Sequence, residues 1–166
     1  MQRTMNEKDM FLQTFEREYQ TTLRVLKAYP PERADLKPSP KSKNALDLGW
    51  MLVLNQGVVL PTLDNQLDPT KLPPSPKSWN EVIPALEASH RAALERLNRA
   101  TDDDWNGTIK IPVAPKTMGE MRIGDALWFF LSDTIHHRGQ LTVYLRMAGG
   151  RLPSVYGPTA DEPWTD

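Results

Sequence analysis

The sequence predicts an all-α fold, an up-down-down-up four-helix bundle with long proline-rich loops, and three observations carry that expectation. Four segments place apolar residues at helical spacing. Fifteen prolines cluster mostly between those segments, where they remove backbone donors and fix φ. A chain of 166 residues is long enough to bury a core as one domain, 1–166.

The first helix is expected over Glu7 to Tyr29 with Asn6 as its N-cap. Phe11, Phe15, Tyr19, Thr22, Leu26 and Tyr29 recur every three or four residues and form one apolar stripe. Pro30-Pro31 ends it. A second helix starts near Asn44, with Asp47 three residues on in a box-like arrangement. Leu48, Met51, Leu52, Asn55, Val58 and Val59 make its inner side, and Pro61 is expected to stop it. From Pro61 to Lys77 no hydrophobic period survives, and connections of that length in compact domains are often functional or mobile.

Ser78-Trp79-Asn80-Glu81 reads as a capping box opening a third helix to about Ala100. Pro84 implies either a kink or a later start. His90 has small and charged neighbours, so it is expected in solvent. Asp102-Asp103-Asp104 lacks the glycine and distal glutamate of a calcium loop and reads as a solvated turn. Thr108 to Ile111 suits a short extended piece. The fourth helix begins between Met118 and Ile123 and runs to about Met147. Its apolar residues (Leu127, Trp128, Phe130, Leu131, Ile135, Leu141, Leu145) cover nearly its whole circumference, which predicts burial on most sides.

That last helix carries the candidate chemistry. Asp133 and His137 are four apart, hence on one face, where a carboxylate and an imidazole can share a divalent metal or a proton. A simple hydrogen-bonded pair satisfies the same spacing. Arg138 is a multiple donor suited to the tail or a neighbouring helix. Tyr144 falls on the Asp133–His137 side, and Tyr156 can reach back from the tail.

Composition narrows the classes. The net charge of -1 offers no basic field for nucleic acid. With no cysteine, thiol chemistry would need a co-substrate that brings the sulfur. Met1 to Asp9 has no apolar core of the signal-peptide kind, and no stretch is read as approaching a membrane span of about 20 apolar residues. A cytoplasmic, soluble protein is the expectation.

Asp133-Thr134-Ile135-His136-His137-Arg138-Gly139-Gln140-Leu141, followed by Tyr144-Leu145-Arg146, Gly149, Pro153-Ser154 and Tyr156-Gly157-Pro158, resembles the C-terminal signature of the DinB-like (YfiT-like) proteins. The same superfamily holds bacillithiol-dependent S-transferases and a mycothiol-dependent maleylpyruvate isomerase. The match is specific over Asp125 to Pro163; earlier, only helix order and loop character fit. The resemblance implies a metal-dependent hydrolase or thiol S-transferase, with nickel or zinc on three histidines. It also implies a homodimer and a small-molecule substrate or thiol co-substrate; the net charge and the lack of an apolar span argue against a nucleic-acid or membrane partner.

Carried over residue by residue, the last ligand falls on His137 and matches. The first ligand of that helix falls on Asp133, a carboxylate in place of imidazole. The second-helix ligand, after Trp50, falls on Met51, a soft thioether that suits Cu(I) far better than zinc or nickel. His136 is the other candidate for a third ligand, about 100° further round the helix. Trp50, Met51, Tyr144, Arg138 and Gln140 are the expected pocket residues, and no catalytic residue is assigned. The departure at Met51 leaves a second expectation open, a member that keeps the fold and a polar pocket as a binding module without metal.

Overall fold

A computed structural model describes residues 6–165. Met1–Met5, whose composition entered the signal-peptide reading, and Asp166 lie outside the described residues. The architecture is mostly helical: α1 (Glu7–Ala28), α2 (Ala45–Gly57), α3 (Val59–Leu63), α4 (Val82–Asn98), α5 (Asp102–Asn106) and α6 (Ile123–Met147), with a hairpin of β1 (Thr108–Ala114) and β2 (Thr117–Arg122). The all-α expectation is therefore corrected by this small sheet.

Each long helix follows from its sequence. Asn6 caps α1 by accepting the Asp9 amide at 2.8 Å, and the whole predicted stripe from Phe11 to Tyr29 is buried. Asn44 caps α2 through the Asp47 amide. Pro61 does not stop that run as expected. It falls inside α3, at the third position of a short helix, where its missing N–H leaves no bond unmade. Ser78 and Glu81 close the predicted capping box, but around a 3-10 turn, Trp79–Glu81, and α4 begins only at Val82. Pro84 then sits in the first turn, among amides that have no helical partner.

Helices α1 and α2 each pack against both α4 and α6. One core group centres on Phe11, Phe15, Leu97, Trp105, Leu127 and Leu131, the other on Leu26, Leu52, Trp79, Leu86, Leu141 and Leu145. Ala45–Leu63 amends the reading that nothing approaches a membrane span. It is 19 residues long and passes on length and composition, with a mean hydropathy of 1.3 over an 18-residue window, yet 56% of that window is buried within the protein. Its apolar surface is spent on α4 and α6.

The triple aspartate opens α5, where Asp104 and Thr101 cap one another reciprocally. The hairpin is antiparallel, pairing Thr108 with Arg122 and Ile111 with Gly119, with an irregularity between Pro112 and Ala114. Ile109 and Ile111 point into the core from β1. Helix α6 departs from expectation on its outer side, where Phe129, Val143 and Met147 are exposed. Its buried residues occupy one broad face and not the full circumference.

His90 corrects the sequence reading outright. It is 4% exposed, its ring stacked on Tyr19 with centroids 3.5 Å apart. Nδ1 meets Gln56 Oε1 at 2.9 Å and Nε2 meets Glu16 Oε2 at 2.8 Å. Burial pushes the imidazole below the ordinary histidine value of 6.5, against the opposing pull of Glu16. Burial pushes Glu16 the other way, but hydrogen bonds from Gln20 and His90 outweigh it and hold its carboxyl below 4.5. A depressed folded-state value means the unfolded chain binds the proton more readily. The His90 contribution is thus complete above pH 6.5 and is lost as pH falls through the folded value; Glu16 adds loss below 4.5. Urea midpoints should fall on acidification from pH 7 to pH 5, and His90→Phe should flatten that slope.

Candidate functional site

The fourth long helix and α2 meet at the predicted pair. His137 Nε2 lies 3.2 Å from Asp133 Oδ2, with side chains 16% and 29% exposed, so the pair sits at the edge of the interior. The same carboxylate oxygen accepts Asn55 Nδ2 from α2 at 2.9 Å. On the other side of the ring, Nδ1 faces Gln140 Oε1 at 3.0 Å. Both ring nitrogens are engaged, and Asp133 is tied to two neighbours. Such a chain fixes the ring plane, as hydrogen-bonded neighbours do for metal-bound histidines. It also leaves no ring nitrogen free for a substrate until Gln140, which is exposed, swings away.

A cleft of about 440 Å³ opens beside this pair. His137, Gln140, Val143 and Tyr144 line it from α6, Leu48 from α2, and Pro38, Ser42 and Lys43 from the loop between α1 and α2. Lys43 and His137 supply its basic groups, and among the described residues no aspartate or glutamate lines it. The Tyr144 hydroxyl donates to the Lys43 carbonyl at 3.0 Å, so it pins the loop while its ring forms wall.

The remaining predicted residues are distributed elsewhere. Met51 is partly buried on the face of α2 that carries Leu48 and Asn55, between the residue beside His137 and the residue bonded to Asp133. Trp50 turns to a different side of α2, where its Nε1 donates to the Pro73 carbonyl at 3.0 Å. His136 is exposed, its ring centroid 5.2 Å from that of His137. Arg138 is 1% exposed and faces α1. It donates to the Glu18 carbonyl (3.1 Å), Thr22 Oγ1 (3.2 Å), Glu18 Oε2 (2.6 Å) and the Tyr156 hydroxyl. Tyr156 in turn donates to Glu18 Oε2 at 2.7 Å. The tail therefore reaches back onto Arg138 and Glu18, away from the Asp133–His137 cleft.

Asn55 was visible in the sequence only as an inner residue of α2. An amide four residues past Met51, within an apolar stripe, is the signal that marks it as a partner for a polar group opposite.

The donors do not fit a three-ligand zinc or nickel centre. Asp133 and His137 supply two ligands, Met51 supplies a thioether at the third position, and His136 points to solvent. Among the described residues, no three or more His, Cys, Asp or Glu side chains converge where they could hold a metal ion.

The helical architecture and the signature on α6 define a DinB-type helical protein. The sequence pattern of the DinB superfamily matches residues 14–141, and the chain belongs to that superfamily. It is 26% identical over 157 residues to the uncharacterized protein YrdA of Bacillus subtilis (strain 168), covering 93% of this chain and 90% of that one. A DinB-like protein from Bacillus cereus ATCC 10987 superposes with a TM-score of 0.72 at 24% identity, over 88% of this chain and 95% of its own. A DinB-like protein of B. subtilis, YjoA, gives 0.69 at 13% identity, over 94% and 99%. These two likenesses establish the fold.

Proposed function

We propose that this chain is a metal-independent small-molecule binding module of the DinB superfamily, working in the cytoplasm through the cleft beside His137. The observation that carries this reading is the closed polar chain Asn55–Asp133–His137–Gln140. Its members hold one another through side-chain contacts, and the third ligand position is Met51, a thioether. The basic lining favours a ligand with a carboxylate, held by Lys43 and by His137 once Gln140 turns aside. The four long helices are read as an up-down-down-up bundle. Supporting this, α1 and α2 are both flanked by α4 and α6, and a long connection lies between α3 and α4, where this topology makes α2 and α4 parallel neighbours. A homodimer through the exposed side of α6 is compatible with this reading, and light scattering measures it.

The competing reading is a metal-dependent hydrolase or S-transferase, favoured by the 3.2 Å Asp133–His137 approach. Metal-stripped protein titrated with nickel and with zinc separates the two. Weak uptake that Asp133→Ala and His137→Ala leave unchanged supports the binding module. Stoichiometric uptake abolished by either substitution overturns it. The ligand class is tested with benzoate as probe, which should shift the His137 ring resonances saturably; an unperturbed ring would refute a carboxylate site there.

A further inference from the structure

The proline-rich connection after α3 has a place in the fold that the His137 cleft does not use. It roofs a second cavity of about 570 Å³, between the side of α2 opposite that cleft and the adjoining side of α4. That volume is in the range that holds a drug-sized molecule, and it exceeds the roughly 440 Å³ beside His137. We propose that this cavity is a separate binding site for an uncharged aromatic molecule carrying one hydrogen-bonding group.

Three features point to that chemistry. First, the walls are apolar: Val53 and Leu54 from α2, Ala85 and Ala88 from α4, Leu67 and Leu72 from the roof. Trp50 forms one side, and its N–H is already committed to the Pro73 carbonyl, so its ring offers only a flat apolar face. Second, the charges cancel. Among the described residues, the only charged groups lining the cavity, Asp68 and Lys71, pair with each other at 3.2 Å, which leaves no net charge to recognise an ion. Third, two neutral polar groups face the space, the Ser89 hydroxyl and the Gln66 amide. Neither makes a side-chain hydrogen bond within the described residues.

The space is not demanded by packing. Gly57 is the last residue of α2, lines this cavity and does not adopt the positive φ that calls for glycine. A Cβ there would meet only Ser89 Oγ, at 3.8 Å. Nothing in the folded core calls for glycine at this position, and its presence keeps the cavity open. The roof is stiffened by its prolines, which fix φ, and is tied down through Pro73, so the site is formed before a ligand arrives.

The test uses the full chain and a pair of dyes on one ring system. N-phenyl-1-naphthylamine is uncharged and brightens in apolar surroundings, whereas 8-anilino-1-naphthalenesulfonate adds an anionic group. The neutral dye should bind saturably at one per chain. Ala88→Trp and Gly57→Leu, which fill the cavity from opposite walls and leave the core untouched, should each weaken it tenfold or more. The sulfonate dye should bind at least tenfold more weakly than the neutral one. Saturating benzoate, the probe for the other cleft, should not displace it. No saturable neutral-dye binding, or undiminished binding in both folded variants, would overturn the site. Equal binding of the sulfonate would overturn the ligand class, and displacement by benzoate would assign the dye to the His137 cleft.

Discussion

Arg138→Ala should lower the unfolding free energy by about 3–5 kcal/mol, the scale for breaking a buried ion pair from one side. The guanidinium and the Glu18 carboxylate are 1% and 2% exposed, so the substitution strands a negative charge in the interior. It also removes the donors that the Glu18 carbonyl, Thr22 and Tyr156 now use. In the intact protein, burial pushes the Glu18 carboxyl up, and hydrogen bonds from Tyr156 and Arg138 outweigh it, holding the group below 4.5. The Glu18 contribution is therefore present above that value and is lost as pH falls below it. Without Arg138 only Tyr156, at 2.7 Å, and Arg17, at 3.4 Å, still oppose burial. The folded carboxyl then takes a proton more readily than in the intact protein, and the deficit should shrink as pH drops from 7 to 5. Urea unfolding of Arg138→Ala at both pH values measures this. A deficit that stays constant would show that Arg138 does not set the titration of Glu18. The double variant Arg138→Met with Glu18→Leu should recover most of the loss, since two apolar groups of similar size replace the pair.

Met51→His should convert weak divalent-metal binding into tight binding. A four-ligand structural zinc site is worth about 10–16 kcal/mol, so each ligand contributes about 3 kcal/mol, or roughly two orders of magnitude in affinity. An imidazole at position 51 would stand on the α2 face between Leu48 and Asn55, opposite Asp133 and His137, and would complete three nitrogen and oxygen donors. Isothermal titration of wild type and variant with zinc and nickel gives the ratio directly. The gain should vanish when His137→Ala is added. Equal affinity in wild type and variant would mean that the thioether was never what limits the site.

Much of this molecule is legible along the chain wherever the deciding contact is local. The α1 stripe, the Asn6 and Asn44 caps and the Ser78–Glu81 box all depend on residues within a turn or two, and each is present in the structure. The Asp133–His137 contact is local too. His90 failed because its partners arrive from other helices, Gln56 at a separation of 34 residues and Glu16 at 74. Nothing in Ser89-His90-Arg91 carries that information. Trp50 was assigned to the wrong side for a related reason. A residue next to Met51 is rotated about 100° around the helix, and only the position of the roof loop decides where its ring goes. β2 escaped notice because Thr117 to Arg122 lacks a clean alternation, with none of its residues fully buried. It is recognisable only through its pairing with β1. Arg138 could be read as a multiple donor but not matched to Glu18, which stands 120 residues earlier.

In a hairpin of two strands, both outer rims carry unpaired amides and carbonyls, the template on which foreign chains add. Here Pro112 withdraws one amide, the irregularity before Ala114 bends the rim, and Lys110 and Glu120 face each other in exposed register. Self-templated strand growth meets charge, curvature and a missing donor within a few residues. The hairpin can thus seal one end of the helical core at high protein concentration without seeding fibrils.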